Sequence, residues 1–284
     1  MGGIDVSVQI NKKLSRIGLW AITLLVSFVI LFPLYWIFIS SITPETELFS
    51  TPINYLPAHP TLDHYIQLVR DCDLGGKLFN TLFITICSIS INVVICVMAA
   101  YGFCRHKSRG LSLAYSLIVF SMMIPAVVKA RPLYTFFRSV NMLDTFPGLI
   151  ILYTSNLIPF AIVILSNFLN GVPVSIDEAA EVDGATTMQK LFHVIIPLMR
   201  PAIATILMIN FINCINDLFT PLFYANRIQT LSVAITTLPS IDGYSVPWEL
   251  VSSMGWVIIF PIIIFVSIFE RQIMDGIMAG GVKA

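Results

Sequence analysis

VPVSIDEAAEVDGATTMQKLFHVIIPLMRP, residues Val172 to Pro201, is the longest window after the N-terminus in which apolar character gives way to an ordered polar pattern. Ser175 followed by Glu178 has the spacing of a capping box, and it predicts a helix start whose free N–H groups are satisfied. Asp177 and Glu178 then fall in the first turn, where the helix dipole favours acidic side chains. The helix is expected to run to about Asp183, because Gly184 is the residue that most easily takes the left-handed conformation at a helix C-terminus. Thr186 and Gln189 repeat the capping-box spacing and predict a second helix that ends before Pro197. The expected product is two short helices with a glycine bend between them. Ile176, Ala179, Ala180, Leu191, Phe192 and Ile195 form an apolar face beside an acidic one. Such a surface suits docking to another protein; an ordinary polar loop between membrane helices is the plain alternative.

Working outward, the rest of the chain reads as membrane. Its 284 residues are 57% hydrophobic and 11% charged, with a mean hydropathy of +0.87, whereas soluble domains are roughly 25% charged. The fold class is therefore an all-α integral membrane protein. Runs of roughly 20 apolar residues, the length a bilayer requires, are placed near 17–42, 77–102, 111–130, 148–170, 202–222 and 250–269. Six helices put both termini on one side, with 1–16 as a cytoplasmic N-terminus and 17–284 as a single membrane domain. Lys12, Lys13 and Arg16 precede an apolar run that is too long for a signal peptide and lacks a small-x-small cleavage site, so the first helix is read as retained.

Orientation follows from the excess of Lys and Arg on cytoplasmic loops. With the N-terminus inside, the cytoplasmic set is Lys12, Lys13, Arg16, Arg105, Lys107, Arg109, Lys190, Arg200, Arg271 and Lys283. The outer set is Arg70, Lys77, Lys129, Arg131, Arg138 and Arg227. The bias places 172–201 in the cytoplasm. Lys and Arg balance Asp and Glu at 16 each, and no basic run appears, which argues against a nucleic-acid partner. The five cysteines (Cys72, Cys87, Cys96, Cys104, Cys214) lack metal-type spacing and read as small apolar residues. His59 and His64, in the proline-punctuated outer segment 43–76, are read as surface residues rather than metal ligands, with one short helix expected near residues 64–69.

Glu178-Ala179-Ala180, then Asp183-Gly184-Ala185, then Ile196-Pro197, closely resemble the EAA motif of ABC-importer permease subunits. In that family the loop forms coupling helices seated in a cleft of the ATP-hydrolysing subunit. The resemblance implies that Glu178 and Asp183 supply polar contacts to the ATPase, Ala179 and Ala180 allow close approach, Gly184 supplies the bend, and Ala185 and Pro197 complete the motif. Thr61-Leu62-Asp63-His64-Tyr65, Arg131-Pro132-Leu133-Tyr134, Leu143-Asp144-Thr145-Phe146-Pro147-Gly148 and Leu157-Ile158-Pro159-Phe160 are similar to carbohydrate-importer permeases of the maltose-transporter type, so the likeness covers nearly the whole chain. The middle phrases bracket a short amphipathic segment at the outer interface, with Phe136 and Phe137 on its apolar side.

Within the membrane, the second predicted helix carries Asn80, Thr81, Thr85, Ser88, Ser90 and Asn92. These groups either line a polar route or glue helices together. The fifth carries Asn210, Asn213, Asn216 and Asp217, with 210, 213 and 217 on one predicted face. A carboxylate in a membrane segment must face the protein interior or water, which makes these four the pathway candidates. Similar permeases have Trp-Asn-Asp where this chain has Ile215-Asn216-Asp217. In similar importers the loop before the last helix reaches toward an extracellular sugar-binding protein, which makes Arg227, Asp242, Tyr244 and Trp248 contact candidates; interfacial anchoring is the alternative for Tyr244 and Trp248. The tail from Gly276 resembles the family's Gly-rich C-terminus.

No G-x-x-x-x-G-K-[ST] exists: ahead of Gly76-Lys77, Asp71 stands where the first glycine belongs, and Leu78 follows where the hydroxyl belongs. The sequence also lacks a G-x-S-x-G elbow and an H-E-x-x-H pair. No catalytic residue, metal ligand or cofactor site is expected in this chain. The resemblance implies two ATP-binding subunits that hold ATP and Mg, a second permease, a solute-binding protein and a sugar substrate of the oligosaccharide class, at the bacterial cytoplasmic membrane. Another polar solute, an ion-coupled carrier or channel, and a subunit that conducts nothing itself are the alternatives.

Overall fold

The computed structural model describes residues 3–106, 108–239 and 246–281, with 3–15, 17 and 271–281 described by backbone course. Every regular element among them is helical. In chain order the elements are α1 (Gly3–Ile42), α2 (Glu45–Leu48), α3 (Asp63–Asp71), α4 (Leu74–Arg105), α5 (Arg109–Ser121), α6 (Ala126–Ser139), α7 (Phe146–Asn170), α8 (Ser175–Val182) and α9 (Thr187–Gln189). A π-helical turn (Lys190–Ile195) follows, then α10 (Ile196–Leu198), α11 (Arg200–Asn216), α12 (Phe219–Tyr224), α13 (Leu231–Ala234) and α14 (Trp248–Gly281). Among the described residues, four helices are long and apolar enough to cross a membrane, and six spans result if each of two sharply bent pairs counts as one.

The larger compact unit, 72–237 with 258–284, is built on α4 and α7. Ser88, Asn92, Cys96 and Cys104 donate to the carbonyls of Ile150, Thr154, Ile158 and Ser166 at 3.4, 3.5, 3.7 and 3.5 Å. The constant offset of 62 residues means that the two helices lie side by side and run in the same direction. The hydroxyl, amide and thiol groups of α4 therefore act as interhelical glue, with Asn80 and Thr81 also engaged, at Gln229 O and Leu231 N. Parallel neighbours start at the same end, so the chain from His106 to Thr145 returns across the unit's length.

That return is not one helix over 111–130. α5 and α6 are bent by 107°, and the 13 residues of α5 reach about 20 Å at ~1.5 Å per residue, short of a ~30 Å hydrocarbon core. The break lies at Pro125, whose ring disfavours helical geometry at Ile124. The fifth expected helix, 202–222, is also broken: α11 ends at Asn216 and α12 starts at Phe219. Two buried clusters hold the unit, one around Cys96, Leu165, Leu169, Ile195 and Ile206 and one around Ile84, Leu149, Tyr153 and Phe211. Phe211 stacks on Phe265 of α14, with centroids 3.9 Å apart. On α6, Phe137 is buried and Phe136 exposed, so the two rings do not share the apolar side expected of them.

The smaller unit comprises 1–71 with 238–257. Here α3 docks on the end of α1: Thr61 N–H donates to Ile42 O at 2.9 Å and Tyr65 Oη to Ser41 Oγ at 2.8 Å. Ser253 at the start of α14 donates to Ser41 O at 3.1 Å. His64 is buried, with Nε2 3.0 Å from Thr43 O, which corrects its reading as a surface residue. A helix only nine residues long must bury its inner face to persist, and His64 lies on that face. His59 pairs with Glu47 at 2.8 Å. This hydrogen bond holds the Glu47 carboxyl below the ordinary carboxylate range. No group of three or more metal-type side chains occurs among the described residues.

Candidate functional site

The segment after α7 folds as two short helical pieces around a glycine bend. α8 ends in a Schellman motif: Gly184 N–H donates to Glu181 O at 3.0 Å and Ala185 N–H to Ala180 O at 2.9 Å, with Gly184 at φ +81°. Thr186 and Gln189 form the reciprocal capping box, with Thr186 N–H donating to Gln189 Oε1 at 2.8 Å and Gln189 N–H to Thr186 Oγ1 at 3.4 Å. Thr186→Ala is expected to weaken this start by about 1 kcal/mol, read as faster amide exchange across 187–195 with α4 unchanged.

Two local expectations fail. Ser175 makes no cap, because Asp177 and Glu178 N–H both donate to Val174 O; the chain is already helical at Val174, and Ser175 cannot adopt the extended cap geometry. The second helix also does not stop before Pro197. It continues through a π turn, Lys190–Ile195, in which Ile196 N–H reaches Leu191 O, and bends by 73° between Thr187–Leu198 and Arg200–Asn216. Proline offers no N–H to the carbonyl four residues back, and the wider turn accommodates that gap.

Glu178, Ala179, Asp183 and Gly184 are exposed and Ala180 and Ala185 half-buried, while Pro197 is half-buried in α10. The motif therefore presents a free face. What attaches α8 to the bundle is a residue the sequence reading took only as a first-turn acid. Asp177, the buried side chain of α8, accepts from Arg105 Nε at 2.8 Å and from Tyr101 Oη at 3.1 Å. Arg105 Nη2 also donates to Val172 O at 3.1 Å. The pair is enclosed, with side-chain exposures of 9% and 8%, and breaking such a pair from one side costs about 3–5 kcal/mol. Lys190 and Glu181 add a bridge at 3.0 Å, but Glu181 is 73% exposed, and solvent screens it.

At the opposite end, Asp144 holds a loop. Its Oδ1 accepts from the backbone N–H groups of Asn226, Arg227 and Ile228 at 2.9, 2.9 and 3.1 Å. Partial burial alone raises the Asp144 carboxyl, but these donors outweigh it and hold the group below its ordinary 3.8. A carboxylate lowered in the folded state contributes stability above the ordinary value and loses it as pH falls through the folded one. Asp144→Ala is thus expected to loosen 225–230 by about 2 kcal/mol at neutral pH, seen as faster amide exchange there; acidification below the ordinary 3.8 should loosen the same residues in the unsubstituted chain. The Arg227 residue is exposed and Trp248, the first residue of α14, is 53% exposed. Asp242 and Tyr244 lie outside the described residues, as do Gly243 and the last three residues of the tail.

The face predicted to carry 210, 213 and 217 does not form. Asn210 is fully buried and donates to Asn92 Oδ1 at 3.0 Å, while Asn213 and Asn216 are exposed. Asp217 lies beyond α11 in extended conformation, off the helix face on which periodicity placed it. Its Oδ1 accepts from Phe219 and Thr220 N–H at 2.9 and 3.2 Å, which makes it the cap of α12. The breaks bring to Asp217 polar groups that the sequence reading missed: with Ser121, Lys129, Ser155 and Asn156, and beside Phe160, it lines a cavity of about 390 Å³ at the α5–α6 bend and Pro159 of α7. Pro125 and Pro159 were the available signals.

The family described as "Binding-protein-dependent transport system inner membrane component" matches residues 92–275. The chain is 32% identical to the sulfoquinovosyl glycerol transport system permease protein of Agrobacterium fabrum, covering 89% of each. It is 33% identical to the trehalose transport system permease protein of Mycobacterium tuberculosis, over 94% of this chain and 98% of the relative. In solved structures, the fold is shared with a chain of a bacterial ABC transporter involved in the import of the acidic polysaccharide alginate, at a TM-score of 0.77 and 24% identity over 92% of this chain and 97% of that one. A chain of an inward-facing methionine ABC transporter matches at a TM-score of 0.58 and 17% identity over 75% of this chain and 97% of that one.

Proposed function

Since this chain belongs to the family of binding-protein-dependent transport system inner membrane components, we propose that it is a permease subunit of an ATP-driven importer for sugars, with oligosaccharides as cargo. The observation that carries the reading is the 172–201 segment: a Schellman bend and a capping box hold an exposed EAA face at one end of the bundle. The α5–α6 pair supplies one crossing and α11 another, giving six spans with both termini and 172–201 in the cytoplasm. Two ATP-hydrolysing subunits, holding ATP and Mg, bind the cytoplasmic loops of the permease pair, on this chain through Glu178, Ala179, Ala180 and Asp183, with Ala185 and Pro197 completing the motif. A second permease supplies the other half of the pathway, and an extracellular binding protein delivers the sugar near Arg227, Asp242, Tyr244 and Trp248.

ATP-driven closure moves the EAA helices, and the two permeases rock between inward and outward states. The cavity at the α5–α6 bend offers carboxylate, ammonium and amide groups beside Phe160, a lining suited to hydroxyl-rich cargo. Asn213 and Asn216 are uncovered on α11. Polar groups facing lipid are costly, which supports their facing the water-filled path or the second permease. Asp217 gives little support to ion coupling, because its Oδ1 is committed to two backbone donors. Proteoliposomes holding the assembled transporter should accumulate a labelled oligosaccharide only with internal ATP, and a protonophore should leave uptake unchanged. Uptake without ATP that collapses with the protonophore overturns the reading in favour of an ion-coupled carrier.

A further inference from the structure

α8 has only eight residues, too few to hold its own attitude in isolation. Among the described contacts, two kinds of attachment tie it to its neighbours, and they differ in character. The Glu181–Lys190 bridge is largely open to water on the Glu181 side, and solvent-exposed pairs hold geometry weakly. The contact through Asp177 is enclosed, ionic and directional, with two donors on one carboxylate. Arg105 uses a second nitrogen on Val172 O, so one guanidinium ties both the joint between α7 and α8 and the first turn of α8 to α4. Tyr101 and Arg105 sit one turn apart on α4, the helix locked in register along α7.

We propose that Arg105 and Tyr101 are positioning residues that hold α8 to α4 through Asp177, so that the EAA helix and α4 move as one body. The α7–α8 joint then does not act as a hinge. This rests on the importer reading above. Force arriving at α8 passes through the buried bridge into α4, and from α4 into α7 along their shared face. Apolar contacts are non-directional, so packing alone in place of the bridge leaves α8 free to swivel.

The test uses the full complex, assembled with its ATPases, second permease and binding protein, and reads sugar transported per ATP hydrolysed. Arg105→Met and Asp177→Leu each strand a charge, and the single variants should assemble poorly. The double variant R105M/D177L removes both charges together, a replacement that buried pairs tolerate. It should recover normal assembly and basal ATP hydrolysis, yet transport about tenfold less sugar per ATP. Tyr101→Phe, which keeps the ring and loses one donor, should fall between it and the unsubstituted protein. Recovery of both assembly and the transport ratio in the double variant overturns the proposal, since the bridge is then structural only. If the unsubstituted complex shows no ATP-dependent uptake, the importer reading falls and this inference with it.

Discussion

Gly184→Pro is expected to reduce transport roughly a hundredfold while the chain still inserts and α4 still packs on α7. Gly184 sits at φ +81°, and proline is confined near −65°. Its N–H closes one of the two Schellman hydrogen bonds, to Glu181 O, and proline has none to give. Together these cost about 3 kcal/mol in the bent conformation, and each 1.4 kcal/mol is tenfold in docking affinity, which gives about a hundredfold. Gly184→Ala keeps the N–H and faces only the left-handed penalty of about 1 kcal/mol, so a severalfold loss is expected. Co-purification of the ATPases, measured with uptake, checks the series; equal transport by the proline variant and the unsubstituted chain contradicts the role given to the bend.

Gly148→Ala is expected to destabilise the fold by about 3 kcal/mol or more. Gly148 is buried in the first turn of α7, and a Cβ there would run into the backbone carbonyl of Met142 and touch Thr145 Oγ1. Backbone cannot yield as a flexible side chain does. Thr145 Oγ1 meanwhile caps α7 by accepting from Gly148 N–H at 3.1 Å and donates to Met142 O at 2.9 Å. The clash therefore opens the turn that presents Asp144 to residues 226–228. Thermal unfolding in detergent should shift down clearly, and amide exchange should rise at both 142–148 and 225–230. A normal unfolding temperature contradicts this account of the turn.

Signals that were local in sequence were legible. Gly184 bends where a glycine after an acidic helix is expected to, and Thr186 with Gln189 caps the second helix, because each depends on residues within a few positions. The likeness of the EAA segment and of the longer phrases to importer permeases agrees with the family to which the chain belongs. What the sequence did not disclose was long-range or conformational. Arg105 and Asp177 are 72 residues apart, and Arg105 was counted only as a cytoplasmic charge. Ser175 failed as a cap because the backbone had already turned at Val174. Asp217 was placed on a helix face by periodicity, but the helix ends at Asn216 and the carboxylate turns to capping α12. Pro125 marked the break in the third predicted helix, yet the apolar run on either side masked it. The α4–α7 register arises from small polar groups spaced four or eight residues apart, a pattern that serves equally for a pore lining until the neighbouring helix is known.

In the proposed transporter the exposed EAA face passes the work of ATP hydrolysis to a sugar pathway. ATP hydrolysis by the purified complex tests this, with binding protein added in the presence of each member of a panel of sugars. Stimulation by binding protein loaded with a particular sugar, lost in Gly184→Pro, is the predicted result. Hydrolysis that is indifferent to every loaded binding protein, or a chain that brings down no ATPase from its own cell, would contradict it.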